Sequence, residues 1–281
     1  MDAYTFAAVL FAALLHAGWN AVVKVGLDRF LSITLISLAS GVVGLALTPF
    51  VDVPVAAAWP YLLASTALHI GYSLFLIEAY RAGDLGQVYP IARGSAPLVV
   101  AIAGVAFLGE HLSTAATIGI GVLIAGVACM SLRGGRDLAR LERRAIGFAL
   151  GTSLFIAAYT ISDAIGARAN GSAHGYAVWL FVCCGMAMLV TLLLMRGPSG
   201  LAAMRPYWRS GLAGGAMSIG AYWIVIWGMT VAPVALVAAL RESSVLFAAA
   251  ISMLILREPP TRWRIGAAVM IVAGVLLTRV G

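Results

Sequence analysis

His16, Glu78, Arg93, Asp163, Arg241 and Glu242 all stand inside long apolar runs of the chain. A charged group in an apolar membrane interior costs about 3 kcal/mol or more unless it is paired or hydrated, so each marks a candidate site. Other polar and aromatic residues keep helical spacing beside them. His16, Trp19, Asn20 and Val23 follow the i, i+3, i+4, i+7 rule and share one face. Tyr159, Ser162, Asp163 and Gly166 do the same, as do His69, Tyr72, Ser73 and Leu76, with Glu78 pointing elsewhere. Tyr222, Trp223, Ile226 and Trp227 form an aromatic stripe, and Tyr89 opens another apolar run. Rings with a few hydrogen-bonding groups suit the binding of an amphipathic solute by stacking and cation–π contact. The alternative is packing: Asn20 as a helix–helix hydrogen bonder, the tryptophans as filler or interfacial belt. Tyr222 and Trp223 lie too deep for a belt, whereas Trp59, Trp179, Trp208 and Trp263 fit one.

Catalytic signatures are missing. There is no Gly-x-Ser-x-Gly elbow, no His-Glu-x-x-His and no nucleotide-binding loop, so neither hydrolysis nor direct ATP drive is expected. Cys129, Cys183 and Cys184 lie in apolar runs without metal-ligand spacing or a disulfide framework. The chain reads as a non-enzyme with no cofactor and no metal.

The elements that would position these residues follow from composition. Of 281 residues, 62% are hydrophobic and 10% charged. Soluble domains carry about 25% charged residues, so an ordinary globular enzyme is excluded. Ten apolar spans are expected, at roughly 3–24, 31–51, 59–81, 85–108, 112–132, 145–167, 174–195, 207–229, 233–256 and 262–279. Each is near the ~20 residues that cross a bilayer as helix. Most prolines fall between spans, but Pro90 and Pro97 sit within the fourth, which predicts a kink or irregular start there. Gly147-x-x-x-Gly151 and Gly211-x-x-x-Gly215 predict close helix packing.

The basic segment 133–144 divides the chain into a first copy, 1–132, and a second, 145–281. Residues 93–127 align with 241–275 at a constant shift of 148. Arg93 meets Arg241, Ser95 meets Ser243, Glu110 meets Glu258, and Ala125-Gly-Val127 meets Ala273-Gly-Val275. Five spans per copy force the second copy upside down. The expected fold is therefore an all-α integral membrane protein of ten transmembrane helices in two inverted five-helix repeats. Of eighteen Lys and Arg, fourteen lie on the connector side that includes the 133–144 linker and only Arg168 and Arg279 on the other, with Arg93 and Arg241 inside spans. That bias predicts a cytoplasmic linker and periplasmic termini. The net charge of +7 is therefore loop charge, and no nucleic-acid partner is expected.

Three stretches carry a family resemblance: Tyr89-Pro-Ile-Ala-Arg-Gly-Ser-Ala-Pro97, Leu108-Gly-Glu-His-Leu-Ser113 and Ala125-Gly-Val127, with weaker copies at 239–244, 256–258 and 273–275. Together with Trp19-Asn20 in the opening span, they resemble the drug/metabolite transporter superfamily, in its ten-helix branch with two EamA-type repeats. The resemblance covers essentially the whole chain. The second loop departs from the pattern, reading Leu256-Arg-Glu-Pro-Pro260 rather than Leu-Gly-Glu-Arg. The resemblance implies secondary transport of a small-molecule solute across a bacterial-type inner membrane. Export of amphipathic metabolites, amino acids foremost and aromatic or hydrophobic ones among them, is the first expectation. Efflux of drugs or cationic compounds is the alternative, and import of a nutrient a third. Many relatives resemble proteins with cytoplasmic termini, the reverse of this chain's charge bias. A monomer suffices, since both repeats are in one chain.

The expected substrate cavity carries His16, Trp19, Asn20, Tyr72, Tyr89, Tyr159, Tyr222 and Trp223. The expected gates are two ion pairs, Glu78–Arg93 near the cytoplasm and Asp163–Arg241 near the periplasm, with Glu242 beside Arg241 but about 100° round the helix.

Overall fold

The computed structural model describes residues 1–22, 27–82, 85–131, 142–255 and 261–280. Every regular element among them is helical: α1 Ala3–Val22, α2 Arg29–Leu47, α3 Trp59–Ala82, α4 Leu85–Leu108, α5 Thr114–Ser131, α6 Arg143–Asn170, α7 Ala173–Arg196, the short α8 Pro198–Met204, α9 Trp208–Val231, α10 Val234–Arg241, α11 Ser244–Ile255 and α12 Arg262–Val280. In lipid each backbone polar group must be satisfied within its own segment, and a helix does this. The ends are capped from the sequence. Asp28 accepts from Leu31 N at 3.0 Å to start α2, and Ser172 accepts from Gly175 N at 3.3 Å to start α7. Asp2 accepts from the Thr5 hydroxyl at 2.7 Å and the Thr5 amide at 2.9 Å, and these bonds hold its exposed carboxyl below the usual carboxylate range.

Among the described residues, eight segments are long and apolar enough to cross a bilayer, one of them formed by α10 and α11 together; α5, shorter, and α12 complete the ten spans. Large apolar side chains such as Phe107, Leu194 and Ile102 remain exposed, as a lipid-facing surface requires.

The packing repeats itself about a pseudo-twofold axis. On the axis, α5 packs against α12, α2 against α7, and α4 against α10. Off it, α3 on α6 is matched by α9 on α1, and α2 on α9 by α7 on α3. The correspondence holds to single residues. A Cβ added at Gly126 would meet Ile271 N at 2.8 Å, and one at Gly274 would meet Leu123 N at 2.5 Å. These two contacts exchange under the same 148-residue shift that aligns Arg93 with Arg241. Gly41 and Gly185 likewise face each other, each against the other's Cα at 3.0 and 2.8 Å. Small residues let helix backbones approach without water or lipid between them.

The structure corrects several expectations. The ninth span is not one helix but two, α10 and α11, joined by a turn at Glu242–Ser243. There the bonding tightens from i→i−4 to i→i−3: Glu242 N to Ala239 O and Ser243 N to Leu240 O, both 3.0 Å. The Ser243 hydroxyl adds a bond to Leu240 O at 2.7 Å. The fourth span, where prolines predict a kink or irregular start, is helical throughout Leu85–Leu108. Pro97 removes the bond to the Arg93 carbonyl. Of the two Gly-x-x-x-Gly pairs, Gly211 and Gly215 do meet α2, against Leu35 and Ala39, but Gly147 faces open space while Gly151 abuts Phe75. The 133–144 linker lies outside the described residues up to 141, and Arg143 and Arg144 already belong to α6.

Candidate functional site

The fold places the polar faces of α1, α3 and α6 around one cavity of about 200 Å³, together with α2, α4, α7, α9 and α10. His16, Trp19, Asn20, Tyr72, Tyr159 and Tyr222 line it, as expected from spacing. Arg93 and Arg241 also reach its wall. Its residues come from the last turns of α1, the first of α2 and the second half of α3, so it lies toward the bundle end where α5 finishes and α6 begins. A second cleft of about 510 Å³ along α11 and α12 is wider but almost wholly apolar, with no group of polar side chains converging on it. Convergent polar groups, not width, distinguish a ligand site from a lipid-facing groove.

Rings form much of the wall. His69 stacks on Tyr159 with centroids 4.0 Å apart. Tyr72 and Tyr222 approach Tyr159 edge-on at 5.9 and 6.0 Å, and Phe181 approaches Tyr222 at 6.3 Å. His69 Nδ1 lies 2.9 Å from the Ser65 carbonyl, an acceptor, so that nitrogen carries the proton. Its Nε2 is thereby left as the ring's acceptor.

The charged groups are arranged differently from expectation. Arg93 Nε lies 3.2 Å from Glu242 Oε2, and Arg241 Nε lies 3.5 Å from Glu242 Oε1. One buried carboxylate thus sits between the two pseudo-symmetric guanidiniums. Arg93 also reaches His16 Nε2 at 2.8 Å. Guanidinium nitrogens only donate, so His16 Nε2 accepts and the ring proton sits on Nδ1. Trp19 Nε1, 3.4 Å from that Nδ1, is then an edge contact between two N–H groups rather than a hydrogen bond. Asn20 bonds back to the His16 carbonyl at 2.7 Å.

Neither expected ion pair forms. Glu78 is at the surface with Arg81 at 2.6 Å and Arg144 at 3.6 Å. Asp163 is fully buried, with its two oxygens taking the hydroxyls of Tyr176 at 3.0 Å and Tyr222 at 2.6 Å. The physical reason is depth. Each arginine is about 12 Å into its helix from opposite faces. In a core of about 30 Å that leaves only ~6 Å between them, a gap one carboxylate can bridge. Trp223 does not line the cavity; one residue past Tyr222, its indole donates to His174 at 2.7 Å. The Tyr89 side chain lies outside the described residues.

At the end away from the cavity, Glu110 and Arg168 tie α4, α6, α9 and α10 together. Glu110 accepts from Val234 N at 2.6 Å and Ala235 N at 3.2 Å, capping α10, and pairs with Arg168 at 3.6 Å. Arg168 in turn donates to Met229 O at 3.0 Å. Gly109, at φ 64°, ends α4 in the left-handed conformation that only glycine adopts without strain. That turn carries Glu110 N to Gly104 O at 3.1 Å, a helix-ending motif, and folds the carboxylate back over Gly104, where a Cβ would meet it at 2.7 Å. Sequence reasoning matched Glu110 with Glu258 but gave it no role; its partners are 124 and 125 residues away. Glu258 lies outside the described residues. His69, Phe181 and Cys184 are further wall residues that were not selected from sequence. His69 had a signal, its shared face with Tyr72; the α7 residues had none.

The EamA-like transporter family pattern matches this chain twice, over residues 4–132 and 143–280. Among solved structures, a crystal structure described only as that of a protein superposes with a TM-score of 0.79. It is 17% identical and the match covers 99% of this chain and 96% of that one, which is a likeness of fold. None of the curated proteins matches.

Proposed function

The chain belongs to the EamA-like transporter family, and from that premise we propose that it exports small amphipathic metabolites, amino acids foremost, by alternating access. The observation that carries this reading is the pairing of a polar, ring-lined cavity toward one end with a hydrogen-bonded tie between helices at the other. A membrane carrier must close one end of its solute path while the other admits solute. The interrupted segment α10–α11 supports the same reading, since discontinuous helices at a repeat interface supply transport sites. The charge bias puts the cavity end in the cytoplasm, with both termini periplasmic, in a bacterial-type inner membrane. Loading from that end is export. His16, Trp19, Asn20, Tyr72, Tyr159 and Tyr222 would contact the solute, and one chain suffices because both repeats line the cavity.

Size favours metabolites over drugs. The cavity's 200 Å³ falls below the roughly 300–1,000 Å³ of sites for drug-sized ligands. Efflux of a small organic cation is the second reading, favoured by the rings of Tyr72, Tyr159 and Tyr222, whose faces attract cations. Counterflow in proteoliposomes tests both. Vesicles preloaded with phenylalanine or leucine should accumulate the labelled amino acid transiently and saturably. Accumulation of a labelled quaternary ammonium instead would favour the second reading, and a linear, unsaturable leak would contradict transport by a carrier.

A further inference from the structure

The two arginines on the cavity wall are not equally satisfied. Neither Nε makes a hydrogen bond among the described residues, but Arg93 pairs with Glu242 Oε2 at 3.2 Å and donates from a second nitrogen to His16 at 2.8 Å. Arg241 is 3% exposed, and its Nε makes no hydrogen bond among the described residues. Its nearest carboxylate oxygen is Glu242 Oε1, at 3.5 Å and poorly aligned. A buried, unsatisfied guanidinium nitrogen is costly, and the cost is removed by an acceptor of matching shape. Arg241 lines the cavity, whereas Glu242 stands behind it. The other buried carboxylate nearby, Asp163, accepts from a tyrosine hydroxyl at each oxygen and forms no ion pair among the described residues.

Resting on the reading of this cavity as the transport site, we propose that Arg241 is the docking group for a solute carboxylate. The transporter then selects monocarboxylates and zwitterions with a small apolar or aromatic body over cations of the same shape. Planar guanidinium donors match the two oxygens of a carboxylate, which a point-like ammonium does not. The rings of Tyr159, Tyr222 and His69 sit on the same wall to receive the body of the solute. Glu242 shares its charge between two guanidiniums, so a solute carboxylate completes the balance rather than displacing a tight pair. Arg93, anchored on His16, fixes Glu242 while Arg241 turns to the solute.

Titration calorimetry on the purified full-length chain tests this with three probes of one shape: phenylpropionate, phenylpropionamide and phenethylamine. The acid should bind on the order of tenfold or more tighter than the amide, because a site built for a charged partner rejects its neutral analogue. Phenethylamine should not compete with the acid. Arg241→Lys, which keeps the charge but loses the fork, should weaken the acid by about tenfold and leave the amide unchanged. Because that variant also touches Glu242, the probe series on the unaltered protein stands as an independent arm. Equal binding of acid and amide, or no binding of the acid, overturns the proposal. If phenethylamine shows saturable counterflow while the acid does not bind, carboxylate selection fails and the transporter reading survives.

Discussion

The fourth span and its pseudo-symmetric copy, the ninth, began as the same segment and solve the same problem differently. In α4 the sequence is Arg93-Gly-Ser95 on an unbroken helix; in the copy it is Arg241-Glu-Ser243 at the break between α10 and α11. Because α4 and α10 pack on the axis, a charge in one meets its own copy in the other. Two guanidiniums there repel each other. One carboxylate is needed, and symmetry would supply two. The chain supplies it from the second copy only, at Glu242, while Gly94 leaves open space at the matching position. Duplication brings like charges together on the axis, and divergence at a single position relieves them.

Breaking that asymmetry should have the largest effect. Glu242→Gln leaves two buried guanidiniums without a counter-charge, and loss of one partner from such a cluster costs about 3–5 kcal/mol. Thermal unfolding followed by size-exclusion chromatography should show a large fall in Tm or no folded protein. Adding Gly94→Glu to Glu242→Gly moves the carboxylate to the other copy, where space exists, and should recover a substantial part of the lost stability. No recovery would mean that the i→i−3 turn, and not the charge, is what holds the cluster.

The two copies can also be compared where they remain alike. Gly126→Ala and Gly274→Ala each drive a Cβ into backbone across α5 and α12. Overpacking of this kind costs about 1–3 kcal/mol, and the two variants should lose similar amounts in a denaturant series. Unequal losses would show that the axis is less symmetric than its contacts.

A smaller effect is expected at the Glu110 tie. Glu110→Gln weakens the cap on α10 and the pair with Arg168 without leaving a cavity; caps are worth about 1 kcal/mol. The shift is toward opening at that end. A cysteine placed at Met229, buried beneath Arg168, should become several-fold more reactive to maleimide in the variant. The smallest difference sharpens the assignment of the aromatic stripe. Tyr222→Ala should reduce transport strongly, while Trp223→Phe, off the cavity and bonded to His174, should change it less than about twofold.

Much of this fold is legible in the sequence. Span lengths are set by bilayer thickness, and the 148-residue register survives because axis contacts such as Gly126–Ile271 constrain both copies. The break at Glu242–Ser243 was not readable. The prolines that most strongly signal interruption lie in the other copy, and the serine that tightens this turn is common in intact helices. The six cavity residues that spacing identified share helix faces, a local property. Ion-pair partners are not local: Arg93 and Glu242 meet across the axis from the two halves of the chain. Treating each arginine's depth separately hid the fact that both approach the midplane.

The central claim is that solute enters from the end where α5 finishes and α6 begins while the opposite end is shut. Ser218, on the cavity wall, tests it most directly when changed to cysteine in a chain whose native Cys129, Cys183 and Cys184 are replaced by serine. The reagent is a membrane-impermeant maleimide, applied to inside-out and right-side-out vesicles. The account predicts much faster labelling from the cytoplasmic side than from the periplasmic side, with protection by saturating phenylalanine. Labelling from the periplasmic side alone, or equal labelling from the cytoplasm with and without solute, would contradict it.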